Sequence, residues 1–167
     1  MRYGPACNAA IHRHCAADTC TSSGFGPVEN SGDTATITCV AGTVRNTTYT
    51  VLSSHHGSCT AAEVMGPNCN AAIHRYCASE GFASGFGPVE NSGDVAVVTC
   101  VPSEIAEGRS TTYTALSMHH SPCNAGGERM GPNCNAAIHR WCRAQGFTSG
   151  FGPVENSGDT AVVACVR

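Results

Sequence analysis

Lysine is absent from this 167-residue chain, and its nine basic residues, all arginine, are scattered rather than clustered. With a formal net charge of −3, the chain offers no basic stripe to track a phosphate backbone, so no nucleic-acid partner is expected. Large apolar side chains are also scarce: five Phe, four Tyr and one Trp stand among abundant Ala, Gly, Ser and Thr. Small units of that composition bury little apolar surface and need staples to hold their shape. No apolar run approaches the length that spans a bilayer, which argues against membrane insertion. Met1-Arg2-Tyr3 leads directly into repeated sequence without a signal-peptide pattern, as expected of a mature chain. Catalytic signatures are missing as well: there is no Gly-x-Ser-x-Gly, no His-Glu-x-x-His and no glycine-rich phosphate loop. The chain therefore reads as a binder rather than an enzyme, with no cofactor.

What is present is repetition. Ser-Gly-Phe-Gly-Pro-Val-Glu-Asn-Ser-Gly-Asp occurs three times unchanged, at Ser23–Asp33, Ser84–Asp94 and Ser149–Asp159. Cys-Asn-Ala-Ala-Ile-His-Arg also occurs three times, at Cys7–Arg13, Cys69–Arg75 and Cys134–Arg140. Gly-Pro-Asn before the second block and Gly81 after it predict a helix from about Cys69 to Glu80. Val95–Val101 is β-branched and follows a tight Asn-Ser-Gly-Asp turn, which predicts a strand. Thr47–Ser53 also reads as a strand by its β-branched content. The linkers 41–46 and 102–110, which differ between copies, are expected to be exposed loops. The predicted fold class is α+β: a tandem array of three small disulfide-stapled modules, each one helix packed on a short antiparallel sheet. The modules are assigned to residues 1–46, 47–110 and 111–167. The first lacks the leading strand and the His-His loop, since its sequence starts at the Gly-Pro that precedes the helix.

Twelve cysteines supply the staples. No Cys-x-x-Cys pair occurs, so a zinc-ribbon array is disfavoured and an oxidising location, secreted or cell-surface, is expected. Cys69 and Cys77 lie about 12 Å apart along one helix face, too far to bond each other. The pairing expected in the second copy is Cys59–Cys69 with Cys77–Cys100, and in the third Cys123–Cys134 with Cys142–Cys165. In the first it is Cys15–Cys39, with Cys7–Cys20 compensating for the lost loop. A swapped scheme, Cys59–Cys77 with Cys69–Cys100, stays open because spacing alone does not fix connectivity.

The candidate ligand-binding residues are the polar members of both blocks. On the helix these are Asn8, His12, Asn70, His74, Asn135 and His139, each pair four residues apart and so on one face. On the turn they are Glu29, Asn30, Asp33, Glu90, Asn91, Asp94, Glu155, Asn156 and Asp159. Carboxylates and amides that alternately accept and donate suit vicinal sugar hydroxyls, and an aromatic suits the apolar face of a sugar ring. A calcium ion is the competing occupant of the turn, although the EF-hand spacing is not met. The adjacent His55-His56 and His119-His120 are a weaker zinc candidate. The leading expectation is a secreted multivalent carbohydrate-binding protein of lectin type, with up to three equivalent sites for glycans or polysaccharide gaining avidity from repetition. The alternative is an extracellular structural protein assembling head to tail, or as a homo-oligomer, by strand donation. A hydrolase or enzyme inhibitor ranks third.

Overall fold

The computed structural model describes residues 4–126 and 129–167. In chain order the described elements are α1 (Pro5–Ala16), β1 (Ser23–Ser31), β2 (Thr34–Val40), β3 (Thr43–Thr48), α2 (Tyr49–His55), α3 (Pro67–Ser79), β4 (Ser84–Ser92), β5 (Val95–Val101), β6 (Ala106–Thr112), α4 (Tyr113–Ser117), α5 (Pro132–Ala144), β7 (Ser149–Ser157) and β8 (Thr160–Val166). The fold is α+β, with five helices and three small antiparallel sheets among the described residues.

The two sequence blocks build the same unit each time. Proline opens α1, α3 and α5, where its fixed φ suits the first helical turn and its missing N–H costs nothing. The invariant block that follows is the first arm of a hairpin, β1–β2, β4–β5 or β7–β8. Its Phe-Gly-Pro-Val stretch breaks the pairing register, with a shift between Phe86 and Glu90 and its counterparts in the other two hairpins. The bulged segment leaves both Phe86 and Val89 buried.

The pieces between the repeats fold differently from the sequence expectation. The supposed linkers 41–46 and 102–110 supply most of β3 and β6, which pair antiparallel with β5 and β8 as third strands. The stretch Thr47–Ser53, expected to be a strand, ends β3 at Thr48 and turns into α2. Capping explains the change. Thr48 Oγ1 accepts from the Val51 N–H, and the Asp94 carboxylate accepts from both Thr50 N–H and Thr50 Oγ1–H. Thr112 and Asp159 do the same for α4. The helical turn then lays Tyr49 and Leu52, three residues apart, into the core. Among the described residues the first sheet contains β1 and β2 alone.

Five disulfides are formed: Cys15–Cys39, Cys59–Cys69, Cys77–Cys100, Cys123–Cys134 and Cys142–Cys165. The swapped scheme does not occur. The expected Cys7–Cys20 bridge is not formed either, and the reason is the helix between them. Cys7 lies in the first turn of α1 and Cys20 beyond its last residue, so the two are separated by most of the helix length, on the order of 13 Å. Cys20 is an exposed thiol.

The three copies are joined around a common centre. Helix α1 packs on β4, α3 on β7, and α5 returns to β1. Phe25, Phe86 and Phe151 meet edge to face, with ring centroids 5.2, 5.0 and 5.2 Å apart, in a cluster fed by all three sheets. Two further cores lie under the helices of the second and third copies. One gathers Tyr49, Leu52, Ile73 and Val98, the other Tyr113, Leu116, Ile138 and Val163.

The disulfide from each long helix to its hairpin explains one glycine of the invariant block. At Gly24, Gly85 and Gly150 an added Cβ would collide with Sγ of Cys15, Cys77 and Cys142 respectively, and with a backbone carbonyl behind it. Gly85→Ala should therefore force disulfide and strand apart and cost about 1–3 kcal/mol, the usual range for overpacking. Denaturant unfolding of the oxidised protein checks this.

Candidate functional site

A concavity lies over the Phe triad. It encloses about 410 Å³ and takes its lining from every copy. Phe25, Phe86 and Phe151 with Val28, Val89 and Val154 line its apolar part, and Asn8, Asn70 and Asn135 contribute the amides. Met65 and Met130 line it as well. The asparagines reach it because they sit in the first turn of α1, α3 and α5, the helix ends that face the next copy.

Each Asn amide is held across a copy boundary. Asn8 Nδ2 donates to the Pro88 carbonyl at 3.3 Å, Asn70 to Pro153 at 3.1 Å, and Asn135 to Pro27 at 3.4 Å. Asn8 and Asn70 also lie 3.4 Å from Met65 Sδ and Met130 Sδ. The amides thus satisfy bulge carbonyls left unpaired by the register shift while they form part of the pocket wall.

The expected site residues do not share one cleft. The histidines lie beneath their helices. His12, His74 and His139 pair through Nδ1 with Ser23, Ser84 and Ser149 Oγ at 2.8–2.9 Å. Thr99 and Thr38 extend two of these pairs by donating to Ser23 and Ser149 from a neighbouring copy. A His–Ser contact is the geometry of an activated nucleophile, yet these serines are 0–1% exposed and open to no substrate. Burial pushes His74 and His139 below the usual imidazole range.

The glutamates and the helix arginines pair between copies. Arg13 binds Glu90, Arg75 binds Glu155 and Arg140 binds Glu29, each through Nε and Nη2 to both carboxylate oxygens, with Nε–Oε1 distances of 2.5–2.6 Å. The Arg140 hydrogen bonds hold Glu29 below the usual carboxylate range. Arg75 and Arg140 also donate to the carbonyls of His55 and His119. Asp94 and Asp159 cap α2 and α4, as described above, while Asp33 lies exposed on the turn after β1. Asn156 accepts from Arg129, Asn91 is exposed on its turn, and Asn30 edges a second, smaller groove. His55 stacks edge-on against Tyr76, and His120 pairs with Asn133 Oδ1. No group of three or more His, Cys, Asp or Glu suited to a metal ion occurs among the described residues.

Sequence reasoning missed the methionines and the valines of the pocket. The repeated Met-Gly-Pro at Met65–Pro67 and Met130–Pro132 was the available clue, since it places a flexible apolar side chain just before each helix. Comparison of the chain with family models, curated proteins and solved structures finds no match.

The buried histidines and Glu29 set an expected acid response. Their folded-state pKa values lie below the unfolded ones, so the stability they lend is present above the unfolded values and is lost as pH falls through the folded values. For His74 and His139 the loss starts below about pH 6.5, and for Glu29 below about pH 4.5. Denaturant midpoints should hold steady from pH 8 to 7 and then decline. Glu29→Gln should cost about 0.5–1 kcal/mol at pH 7, and that deficit should vanish well below pH 4. A deficit independent of pH would show that the Arg140–Glu29 pair contributes nothing.

Proposed function

We propose that this chain is an extracellular saccharide-binding protein whose three copies act as modules of one body and build one shared binding pocket. The observation that carries the reading is the pocket of about 410 Å³ over the Phe triad, apolar on one side and edged by three equivalent amides. Aromatic and aliphatic surface beside a few fixed polar groups is the usual make-up of a small-molecule site. It suits a ring with one C–H face and hydroxyls at its edge. The Asn, Phe and Val positions are identical in every copy, so repetition would serve one symmetric site rather than three outer ones. The His and Glu of each copy, with Asp94 and Asp159, then serve to hold the body together. The five disulfides fit an oxidising compartment. No described helix is long and apolar enough to cross a membrane.

Filament growth by strand donation has less support. It needs a spare donor, and the two strand–helix pieces among the described residues, β3–α2 and β6–α4, are both engaged in sheets of this chain.

A glycan array followed by titration calorimetry tests the reading. The expected stoichiometry is one saccharide per chain. Met65→Trp, which fills the pocket from one side, should weaken binding at least tenfold, about 1.4 kcal/mol, with an unchanged melting temperature. Three ligands per chain, or binding indifferent to Met65→Trp, would move the site to the outer surface. An array without hits would remove the saccharide class.

A further inference from the structure

The first copy has an apolar groove where the other two hold a strand and a helix. In the second copy, β3 pairs along β5 from Thr43–Cys100 to Thr48–Val95, and α2 then drops Tyr49 and Leu52 onto Ile73, Ala96 and Val98. In the third, β6, Tyr113 and Leu116 do the same. In the first copy no strand pairs along the outer edge of β2 among the described residues. The positions that the missing helix would cover are uncovered. Ala10 and Ala35 are exposed, whereas Ala72, Ala96, Ala137 and Ala161 are each 0% exposed. Ile37 is half-buried where Val98 and Val163 are fully buried, and the Cys39 side of the disulfide is exposed. Ala10, Ala35 and Ile37 line a groove of about 280 Å³, and so does Asp33, the counterpart of the helix-capping Asp94 and Asp159.

We propose that this groove is an acceptor site for a strand–helix segment of the kind that fills the other two copies. The occupied copies define its chemistry. It carries a short strand that adds antiparallel to β2, a Thr-Thr pair at the strand–helix junction, and a Tyr and a Leu three residues apart on the following turn. The strand supplies main-chain hydrogen bonds, the Tyr and Leu fill the groove, and the Asp33 carboxylate accepts from the N–H and hydroxyl of a Thr at the second helical position, as Asp94 does from Thr50. A second copy of this chain is not the donor, because both of its described strand–helix pieces are engaged in its own sheets. The flanks of the site also differ from the occupied copies. His14 and Cys20 stand where Tyr76 with Phe82, and Trp141 with Phe147, pack in the others, and Arg45 and Arg109 of the third strands lie over those Phe rings. The donor strand therefore needs no counterpart of Arg45, which distinguishes it from β3 and β6.

The probe is a fluorescein-labelled peptide of residues 43–58, which stops before Cys59 and so excludes disulfide exchange. Titrated with the folded, oxidised chain, it should bind saturably at one to one and protect backbone amides of 34–40 from hydrogen exchange. Leu52→Asp in the peptide should weaken binding at least tenfold. In the protein, Asp33→Ala should weaken it several-fold, and this exposed turn residue leaves the fold intact as its own control. Ile37→Arg should abolish binding, with the Phe-triad core intact by circular dichroism. No saturation up to millimolar peptide, or binding unchanged by Leu52→Asp and Asp33→Ala, would overturn the proposal. So would sedimentation showing the chain alone as a dimer with amides 34–40 already protected, since the groove would then belong to a second copy. Saccharide binding at the pocket over the Phe triad is a separate readout, and its failure leaves this test untouched.

Discussion

Three phenylalanines that cannot be buried separately hold this molecule together. Each lies between two glycines on a bulged strand, and none belongs to the cores beneath the long helices of the second and third copies. Only when Phe25, Phe86 and Phe151 meet edge to face does each ring lose its water. That requirement draws the three copies around one centre and sets every contact that follows. The disulfides act at a different level. They fix each long helix to its hairpin, and in the second and third copies to the loop before it, so that the surfaces arriving at the centre are already shaped.

The boundary interactions follow the same logic of exchange. A copy keeps its His–Ser pair for itself but hands its Arg and its Asn amide to the next. The bidentate Arg–Glu pairs lie outermost, where solvent weakens them, and the Asn amides lie inside, where they satisfy carbonyls that the bulge leaves without a strand partner. Charge complementarity and polar satisfaction thus act at different depths of one boundary. They orient the copies while apolar burial supplies the drive.

Much of this was legible in the residues. Gly-Pro before the long helices, Gly81 after one of them and the Asn-Ser-Gly-Asp turns marked helix and hairpin because those residues act locally. Cysteine spacing was informative for the same reason: a helix face fixes which sulfurs are too far apart to meet. The expectation failed where a distant residue decides. Thr-Thr-Tyr-Thr-Val-Leu-Ser has β propensity throughout, yet a carboxylate from the far end of a hairpin, Asp94, caps it into a helix. The candidate site failed in a related way. Glu29, Glu90 and Glu155 read as ligand groups in the sequence, whereas their partners are arginines of another copy, which no local pattern reveals. Asn8, Asn70 and Asn135 stand out in the sequence as polar and recurrent, while their partners, the Pro carbonyls of another copy, become visible only once the ring is closed.

The contact from the last copy back to the first is chemically the same as the two that precede it. Arg140 with Glu29 and Asn135 with the Pro27 carbonyl complete the set. Each copy in this ring therefore has both of its boundaries occupied. A further copy would find no open boundary here and could join only by displacing one of the three that are present.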